Sequence, residues 1–305
     1  MGDGNTAPKG GAASRQSAET EPDARAGREA EEQERLDRRL GCIRHKIIVL
    51  SGKGGVGKSS VAANLAITLA QQGKTIGLLD IDIHGPSVPR LLGLEGSQVR
   101  GREDTIIPVT TAAGVKVMSV GFLLRSGDDA VIWRGPLKYN VIKQFLRDVE
   151  WGDLDYLIID SPPGTGDEPL SVAQLITDAD GAVIVTTPQA LAVSDVRKSI
   201  SFARQLNLPI LGVIENMSGF VCPGCGAAVD VFGAGGGEEM AGDMGVPFLG
   251  RIPIDPGIVT AGDAGALGSY LGSDAPGAKA FAEAARKLVD PIEMRESAGK
   301  AGKGR

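Results

Sequence analysis

Short, uninterrupted runs of apolar residues recur along the chain between residues 46 and 216. Runs of this length, rich in β-branched residues and without polar alternation, are typical of strands that are buried on both faces of a sheet. We therefore predict five buried strands, in the segments KIIVLS from Lys46, TIGLLD from Thr75, YLIIDS from Tyr156, GAVIVTT from Gly181 and ILGVIEN from Ile210.

Between these runs, apolar residues recur every three or four positions, which predicts amphipathic helices. One such stretch, SSVAANLAITLAQQG, follows the first strand and stops at Gly73, a residue type that commonly ends helices. PLKYNVIKQFLRDV and LAVSDVRKSISFARQLN have similar spacing. The alternation of strands and helices predicts an α/β fold with a doubly wound, mostly parallel sheet. Ligands of such sheets bind at the carboxyl ends of the strands.

The two ends of the chain differ in composition from this core. Residues 1–40 are rich in Ala, Gly, Glu and Arg and contain almost no large apolar side chain. Such a segment buries too little surface to offset the entropy lost on ordering. We therefore expect a disordered arm over 1–40, apart from a short helix near EEQERLDRRL, and a similar disordered tail over 293–305. Residues 41–292 are left as one domain.

Charge and cysteine content narrow the class of protein. The formal net charge is −6, and the sequence contains no stripe of basic residues. We therefore expect no nucleic-acid partner. No apolar run approaches the roughly 18–20 residues that span a bilayer, and no signal peptide is recognisable, so we expect no membrane partner. The three cysteines do not form an even-numbered disulfide framework. These features predict a soluble cytoplasmic protein.

A glycine-rich loop follows the first predicted strand. SGKGGVGKSS, from Ser51 to Ser60, satisfies G-x-x-x-x-G-K-[ST] and leads into the first predicted helix. Backbone N–H groups of such a loop cradle phosphate oxygens, Lys58 would neutralise the β- and γ-phosphates, and the Ser59 hydroxyl would bind Mg²⁺. The predicted nucleotide-binding residues are Gly52, Lys53, Gly54, Gly55, Val56, Gly57, Lys58, Ser59 and Ser60. The domain over 41–292 is therefore predicted to be a P-loop ATPase domain.

Acidic residues end two of the other predicted strands. Asp80 and Asp82 follow the second strand, and Asp160 ends the third in YLIIDSPPGTGD. A carboxylate after an apolar strand, behind a phosphate loop, is the Walker B arrangement that holds Mg²⁺. In the loop that follows, the backbone N–H of Gly164 is expected to contact the γ-phosphate.

Cys222 and Cys225 form a C-x-x-C pair in VCPGCG, which directs two sulfurs to one point. Three interpretations remain open from the spacing: a redox couple, half of a Zn(Cys)₄ site, or half of a [4Fe–4S] site completed across a dimer. The spacing alone favours the redox couple and zinc. Cys42 has no neighbouring cysteine and is expected to be a buried small residue.

Several motifs together resemble a known family. KGGVGKS is similar to the deviant Walker A loop of the ParA, MinD and nitrogenase iron protein class of SIMIBI-like P-loop NTPases. Within that class the chain resembles the Mrp/ApbC-type iron–sulfur cluster carrier ATPases over about residues 43–290. The motifs that carry the resemblance are SGKGGVGKSS, LLDIDIHGPSVPRLLG, WRGPLK, LDYLIIDSPPGTGDEPLS, TTPQALAVSDVRK, GVIENMSGFVCPGCG and LGRIPIDP.

The resemblance implies roles for residues around the nucleotide. It implies a nucleotide-sandwich homodimer in which Lys53 reaches the ATP of the partner subunit. It also implies that Asp82 positions the attacking water and that Asn216 reads the adenine. Pro253 and Asp255, in the PID segment, would close over the base.

For the cysteine pair, the resemblance favours a labile [4Fe–4S] cluster that is transferred to apoproteins and exchanged with cluster scaffold proteins. Two alternatives are a partitioning or positioning ATPase like ParA or MinD and an ATP-driven reductase like the nitrogenase iron protein. The first would call for a basic DNA-binding face or a C-terminal amphipathic membrane helix. In the second, the bridging cysteines are far apart in sequence, unlike C-x-x-C.

Overall fold

The computed structural model describes residues 21–83, 85–102, 105–123, 135–222 and 224–303. The strands are β1 (Ile43–Ser51), β2 (Ile76–Asp80), β3 (Arg100–Arg102), β4 (Thr105–Ile107), β5 (Val109–Thr110), β6 (Lys116–Ser119), β7 (Leu154–Asp160), β8 (Gly181–Thr186), β9 (Ile210–Glu215), β10 (Phe220–Val221), β11 (Ala228–Val229) and β12 (Phe248–Arg251). The α-helices are α1 (Glu21–Gly41), α2 (Lys58–Gln71), α3 (Val88–Leu91), α4 (Gly135–Asp148), α5 (Asp167–Leu175), α6 (Ala190–Gln205), α7 (Gly236–Met244), α8 (Pro256–Asp263), α9 (Leu267–Leu271) and α10 (Pro276–Lys303), and Val120–Leu123 form a 3₁₀ turn.

Eight of these strands form one sheet in the order β12-β9-β8-β1-β7-β2-β6-β5. All neighbouring pairs in it are parallel except β5 and β6, which are antiparallel at the edge. Strands β3–β4 and β10–β11 form two small antiparallel hairpins outside the sheet. This architecture confirms the predicted α/β class with a mostly parallel sheet.

Helices cover both faces of the sheet, and the side chains of β1 show how. Ile47 and Val49 pack into the core on one face, together with residues of α2, α9 and α10. Ile48 and Leu50 alternate with them and pack into the core on the other face, with residues of α1, α4, α6 and α7. Because successive side chains of a strand point to opposite faces, a strand buried on both faces must be apolar throughout.

The five predicted strands correspond to β1, β2, β7, β8 and β9. The apolar pattern does not predict β6 and β12, each of which has only four residues. β6 contains KVMS and β12 contains FLGR, and neither offers a continuous β-branched run. Short strands at the flanks of a sheet are specified by their neighbours more than by their own composition.

The expectation of a disordered arm is wrong for residues 21–30, which form the first half of helix α1, and the short helix expected near EEQERLDRRL is the second half of the same helix. Leu36 and Leu40 are buried one turn apart, in the same core as residues of α4. Glu32 of α1 pairs with Lys143 at 2.8 Å and with Arg147 at 3.1 Å, both on α4. Two leucines on one face and these ion pairs dock the helix despite its polar composition. Residues 1–20 lie outside the part of the chain that the structure describes.

The predicted tail also differs, because α10 continues past residue 292 to Lys303. Glu293 pairs with Lys74 at 2.5 Å, and Glu296 pairs with Arg44 at 2.6 Å. These contacts tie the second half of α10 to the body of the protein. Residues 304–305, and Trp133 and Arg134 of the WRGPLK motif, are not among the described residues. Across the described ranges, no helix combines the length and apolar character needed to cross a membrane.

Candidate functional site

The glycine-rich loop connects the end of β1 to the start of α2, as predicted. Gly57 is the residue that precedes α2 and has a φ of 80°, and Gly55 has a φ of 79°. Both values lie in the left-handed region, where glycine carries no steric penalty. The loop can therefore turn its backbone N–H groups inward at the helix N-terminus, where the helix dipole favours phosphate.

Two glycines of the loop lie directly against other segments of the same chain. A Cβ on Gly52 would lie 2.4 Å from the carbonyl carbon of Asp195 in α6. A Cβ on Gly57 would lie 2.2 Å from the amide nitrogen of Asn216, just after β9. A side chain in place of Gly52 would displace the backbone of α6, and one in place of Gly57 would displace the Asn216 amide, so the fixed glycines of the motif also fit the loop between α6 and the residue after β9.

Lys58 and Asp160 form a buried ion pair at the base of the loop. Their Nζ and Oδ1 atoms are 2.5 Å apart, and the residues are 6% and 0% exposed. Burial raises the pKa of Asp160, and the Lys58 ammonium and the Ser59 hydroxyl oppose that rise. The second carboxylate oxygen of Asp160 is buried and has no hydrogen-bond partner among the described residues. This oxygen and the Ser59 hydroxyl suit Mg²⁺ or its bound water, so these residues fit the expected metal.

Asp80 is a site residue to which the sequence analysis assigned no role. It lies opposite Asp160 in the pairing of β2 with β7 and is fully buried. Its carboxylate accepts hydrogen bonds from the Ser119 hydroxyl at 2.8 Å, the Asp82 N–H at 3.1 Å and the Val88 N–H at 3.4 Å. Burial, reinforced by the charge of Asp160, raises the pKa of Asp80. Asp80 thus fixes the segment that carries Asp82.

Asp82 and Gly164 lie on the two loops that follow these strands. The Asp82 carboxylate accepts a hydrogen bond from the Gly85 N–H at 3.3 Å. Its expected contact with the attacking water stays a prediction. The N–H of Gly164 donates to the carbonyl of Ser51 at 2.8 Å. A contact of Gly164 with the γ-phosphate would therefore require this hydrogen bond to be exchanged.

Lys53 lies at the start of the loop and is partly exposed. The Ser51 hydroxyl donates to the Lys53 carbonyl at 3.0 Å, which fixes its backbone. Within the described part of the chain, the Lys53 ammonium forms no ion pair or hydrogen bond. The reach of Lys53 to a partner's nucleotide stays a prediction.

The residues expected around the adenine are engaged with the protein itself. Asn216 is 8% exposed, and its amide donates to the carbonyl of Val56 at 2.9 Å. One donor of Asn216 is therefore directed at the phosphate loop. Asp255 caps α8 by accepting from the Gly257 N–H at 2.8 Å, and it also accepts from the Tyr270 hydroxyl at 2.5 Å. Pro253, two residues before Asp255, is half-buried, and whether this segment contacts a base stays a prediction.

The C-x-x-C pair lies on the turn of the β10–β11 hairpin. Cys222 is partly exposed and Cys225 is exposed, and neither forms a disulfide. The Cys222 N–H donates to the Ala227 carbonyl at 2.9 Å, and the Gly226 N–H donates to the Cys222 carbonyl at 2.8 Å. Nowhere in the described ranges do three or more His, Cys, Asp or Glu side chains group as a metal site. The two thiols thus form an exposed pair that can bind a metal only with further ligands.

Cys42 comes just before β1, at the end of the sheet where the strands begin, and the hairpin lies near the end where the strands finish. It is exposed, not buried as expected. Strand β1, with nine residues at about 3.3 Å each, separates Cys42 from the edge that carries the phosphate loop. Cys42 therefore cannot join Cys222 and Cys225 within one subunit.

Cys222 should react as a thiolate at lower pH than an ordinary cysteine. The backbone N–H groups of Cys225 and Gly224, and the side chain of Cys225, lower the pKa of the Cys222 thiol. We expect its alkylation rate to reach half its maximum below about pH 8.5, the ordinary value. Mass spectrometry of iodoacetamide-treated protein across pH measures this. Cys225→Ser weakens one of the contributing interactions and should move the midpoint of Cys222 alkylation to higher pH. A midpoint at or above the ordinary value in the native protein would contradict the assignment.

The sheet topology, the phosphate loop at the carboxyl end of β1 and the acidic residue that ends β7 define the class of protein as a P-loop NTPase. A family model described as ParA, NUBPL iron-transfer P-loop NTPase, matches residues 42–289. The chain therefore belongs to this family of iron-transfer P-loop NTPases, and the resemblance noted in the sequence is confirmed.

Similar proteins agree with this assignment. The chain is 50% identical over 264 residues to the iron-sulfur cluster carrier protein of Methanocaldococcus jannaschii, covering 87% of this chain and 90% of that protein. It is 55% identical over 226 residues to the cytosolic Fe-S cluster assembly factor CFD1 of Kluyveromyces lactis, covering 72% and 80%. A solved nucleotide-binding protein of Archaeoglobus fulgidus, in complex with ADP, is 45% identical with a TM-score of 0.70, covering 78% of this chain and 93% of that one.

Proposed function

We propose that the protein is an ATP-hydrolysing carrier that binds a labile [4Fe–4S] cluster between two subunits and transfers it to apoproteins. The observation that carries the proposal is the exposed pair of free thiols, Cys222 and Cys225, on a hairpin beside the nucleotide edge of the sheet. Membership of an iron-transfer family and the name of the M. jannaschii relative support iron–sulfur cargo over a redox couple or zinc.

The number of thiols argues for a homodimer. A [4Fe–4S] cluster takes four thiolates, and each chain offers one matched pair. Two hairpins meeting on a two-fold axis would supply all four ligands, two from each subunit. Apolar side chains are exposed on the hairpin and just after it, at Val221, Val229, Val231 and Phe232. An exposed apolar patch of this kind is typical of a surface that pairs with another protein.

In the proposed hydrolysis, the phosphate loop and Lys58 bind the β- and γ-phosphates, and Ser59 and Asp160 hold Mg²⁺. The metal would supply charge neutralisation for the phosphate oxygens. Asp82 orients a water that attacks the γ-phosphorus, and the bond to the β-phosphate oxygen breaks to leave ADP and phosphate. Lys53 of the partner would stabilise the charge that develops during transfer, as an arginine finger does.

The proposed cargo also defines the partners. Apo iron–sulfur proteins would receive the cluster, and scaffold proteins would supply it. An exposed cluster held by two short turns can leave without unfolding of the ATPase domain. We place the protein in the cytoplasm, because the K. lactis relative is a cytosolic assembly factor.

Anaerobic reconstitution tests the proposal. Protein incubated with iron and sulfide should bind about four of each per dimer, with a brown colour from thiolate-to-iron charge transfer. Cys222→Ser or Cys225→Ser should lose the cluster and keep nucleotide binding, because the hairpin lies outside the phosphate loop. Cys42→Ser is the matched control and should retain the cluster. Stoichiometric zinc without sulfide would replace the carrier with a structural zinc clamp.

A further inference from the structure

Glu215 is a fully buried carboxylate at the end of β9 that takes no part in the chemistry proposed above. One of its oxygens accepts hydrogen bonds from the Ser218 hydroxyl at 2.5 Å and from the Gly235 N–H at 2.8 Å. Its other oxygen accepts from the Gly237 N–H at 2.5 Å. The Arg251 guanidinium lies 3.7 Å away. A buried carboxylate with this many donors is held in one orientation.

These partners flank the thiol hairpin in sequence. Ser218 comes just before β10, and Gly235 follows β11 at the start of α7. A single carboxylate therefore fastens both ends of the segment 219–234 that carries the two cysteines. Because two of the donors are N–H groups at the N-terminus of α7, the positive end of the helix dipole stabilises the negative charge of Glu215.

The backbone around Glu215 is closely packed. A Cβ on Gly237 would lie 2.9 Å from the Glu215 Oε2 atom, and a Cβ on Gly236 would lie 2.5 Å from the Pro188 carbonyl. Gly235 has a φ of 88°, which favours glycine. Three consecutive glycines let the backbone come within hydrogen-bond distance of the carboxylate, so a shift of Glu215 moves the hairpin ends with it.

The residue that follows Glu215 contacts the phosphate loop. The amide of Asn216 donates to the Val56 carbonyl, and Gly57 lies directly beneath it. Adjacent side chains at the end of β9 thus contact two regions: Asn216 contacts the phosphate loop, and Glu215 contacts the segments that flank the hairpin. The Asn216 hydrogen bond therefore connects the phosphate loop to the end of β9, the hydrogen bonds of Glu215 connect that strand end to both flanks of the hairpin, and the backbone leads from there to the thiols.

We infer that Glu215, acting with Asn216, couples occupancy of the phosphate loop to the geometry of the Cys222–Cys225 pair. Glu215 is a positioning residue, since it touches neither nucleotide nor thiol. The inference builds on the proposed function, because the coupling would let nucleotide change the hold on the cargo. By linkage, whatever binds the thiols must in turn change nucleotide affinity.

Thiol labelling of the metal-free, full-length protein tests the coupling. The rates of bimane modification of Cys222 and Cys225 are measured with and without Mg·ADP or a non-hydrolysable ATP analogue. In the native protein we expect nucleotide to change the rates by about fivefold or more, the usual scale of allosteric coupling. Glu215→Gln replaces one acceptor oxygen with a donor. This variant should keep nucleotide affinity within about threefold. For each cysteine, the ratio of the labelling rate with nucleotide to the rate without nucleotide should come close to one.

Two further variants make the result specific. Glu239→Gln makes the same chemical change at an exposed position of α7 and should preserve the native response. Ser218→Ala removes a single hydrogen bond from Glu215, and it should weaken the response even if Glu215→Gln does not fold.

Two results would overturn the coupling: labelling that ignores nucleotide in the native protein, or a native response that survives in both Glu215→Gln and Ser218→Ala. Cluster binding is scored separately by iron and sulfide content. A nucleotide response that depends on Glu215 in a protein that binds no cluster would sustain the coupling and refute the carrier.

Discussion

Replacing Lys58 with alanine is expected to abolish nucleotide binding, with a loss of affinity of about 100-fold or more. A charge-assisted contact to phosphate contributes about 3 kcal/mol, which is roughly two orders of magnitude in the dissociation constant. The same change removes the only cation that pairs with Asp160 among the described ion pairs. That carboxylate is fully buried and would then take up a proton. Titration with a fluorescent ATP analogue in the presence of Mg²⁺ measures the loss.

A second buried lysine provides the matched control. Lys46, near the start of β1, is 2% exposed and pairs with Asp178 at 2.8 Å. Lys46→Ala and Lys58→Ala should reduce thermal stability to a similar degree, because each removes a buried lysine from an ion pair. Lys46→Ala should leave the nucleotide affinity close to native. Should Lys58→Ala bind nucleotide within a few-fold of the native protein, the assignment of this loop as the phosphate site would have to be abandoned.

Replacing Lys53 with alanine is expected to preserve ATP binding and to reduce hydrolysis by about a thousandfold or more, as loss of a catalytic cation in trans does. Lys58 still neutralises the phosphates in this variant, so the binding step keeps its main interaction. The transfer step alone loses a charge. Steady-state phosphate release and equilibrium binding, measured on the same preparation, separate the two effects. Lys279→Ala, at an exposed position of α10, is the control.

Mixing the two variants tests whether Lys53 acts across the dimer. A Lys53→Ala subunit keeps an intact nucleotide site, and a Lys58→Ala subunit keeps its Lys53. In a mixed dimer, the first subunit would bind ATP and the second would supply the missing lysine. Hydrolysis should therefore reappear on mixing two inactive proteins. If it does not, while dimers still exchange subunits, Lys53 does not act in trans.

The parts of the site that are local in sequence were predictable. The phosphate loop, its strand and its helix lie within one short segment, and their residue types follow from the phosphate chemistry. Asp160 was recognisable because it ends an apolar run. These features depend on neighbours along the chain, which a single sequence displays directly.

Contacts between distant segments were not predictable in the same way. Asn216 meets the Val56 carbonyl across 160 positions of sequence, and an asparagine after a strand has no signature for that partner. Glu215 drew no attention because an acid at a strand end resembles a turn residue. The extent of helix α1 was underestimated because composition does not show that Leu36 and Leu40 lie on one face and pack with α4, which fixes the helix to the core.

Ion pairs of α10 concentrate at the edge of the sheet where the strands begin. Glu293 contacts Lys74 and the Tyr156 hydroxyl, and Glu296 contacts Arg44, so one helix fastens the starts of three neighbouring strands. The opposite edge is made of glycine-rich turns and a thin hairpin. We expect a nucleotide bound at the ends of the strands to shift the turns rather than the sheet, because the ion pairs of α10 hold the starts of the strands in place.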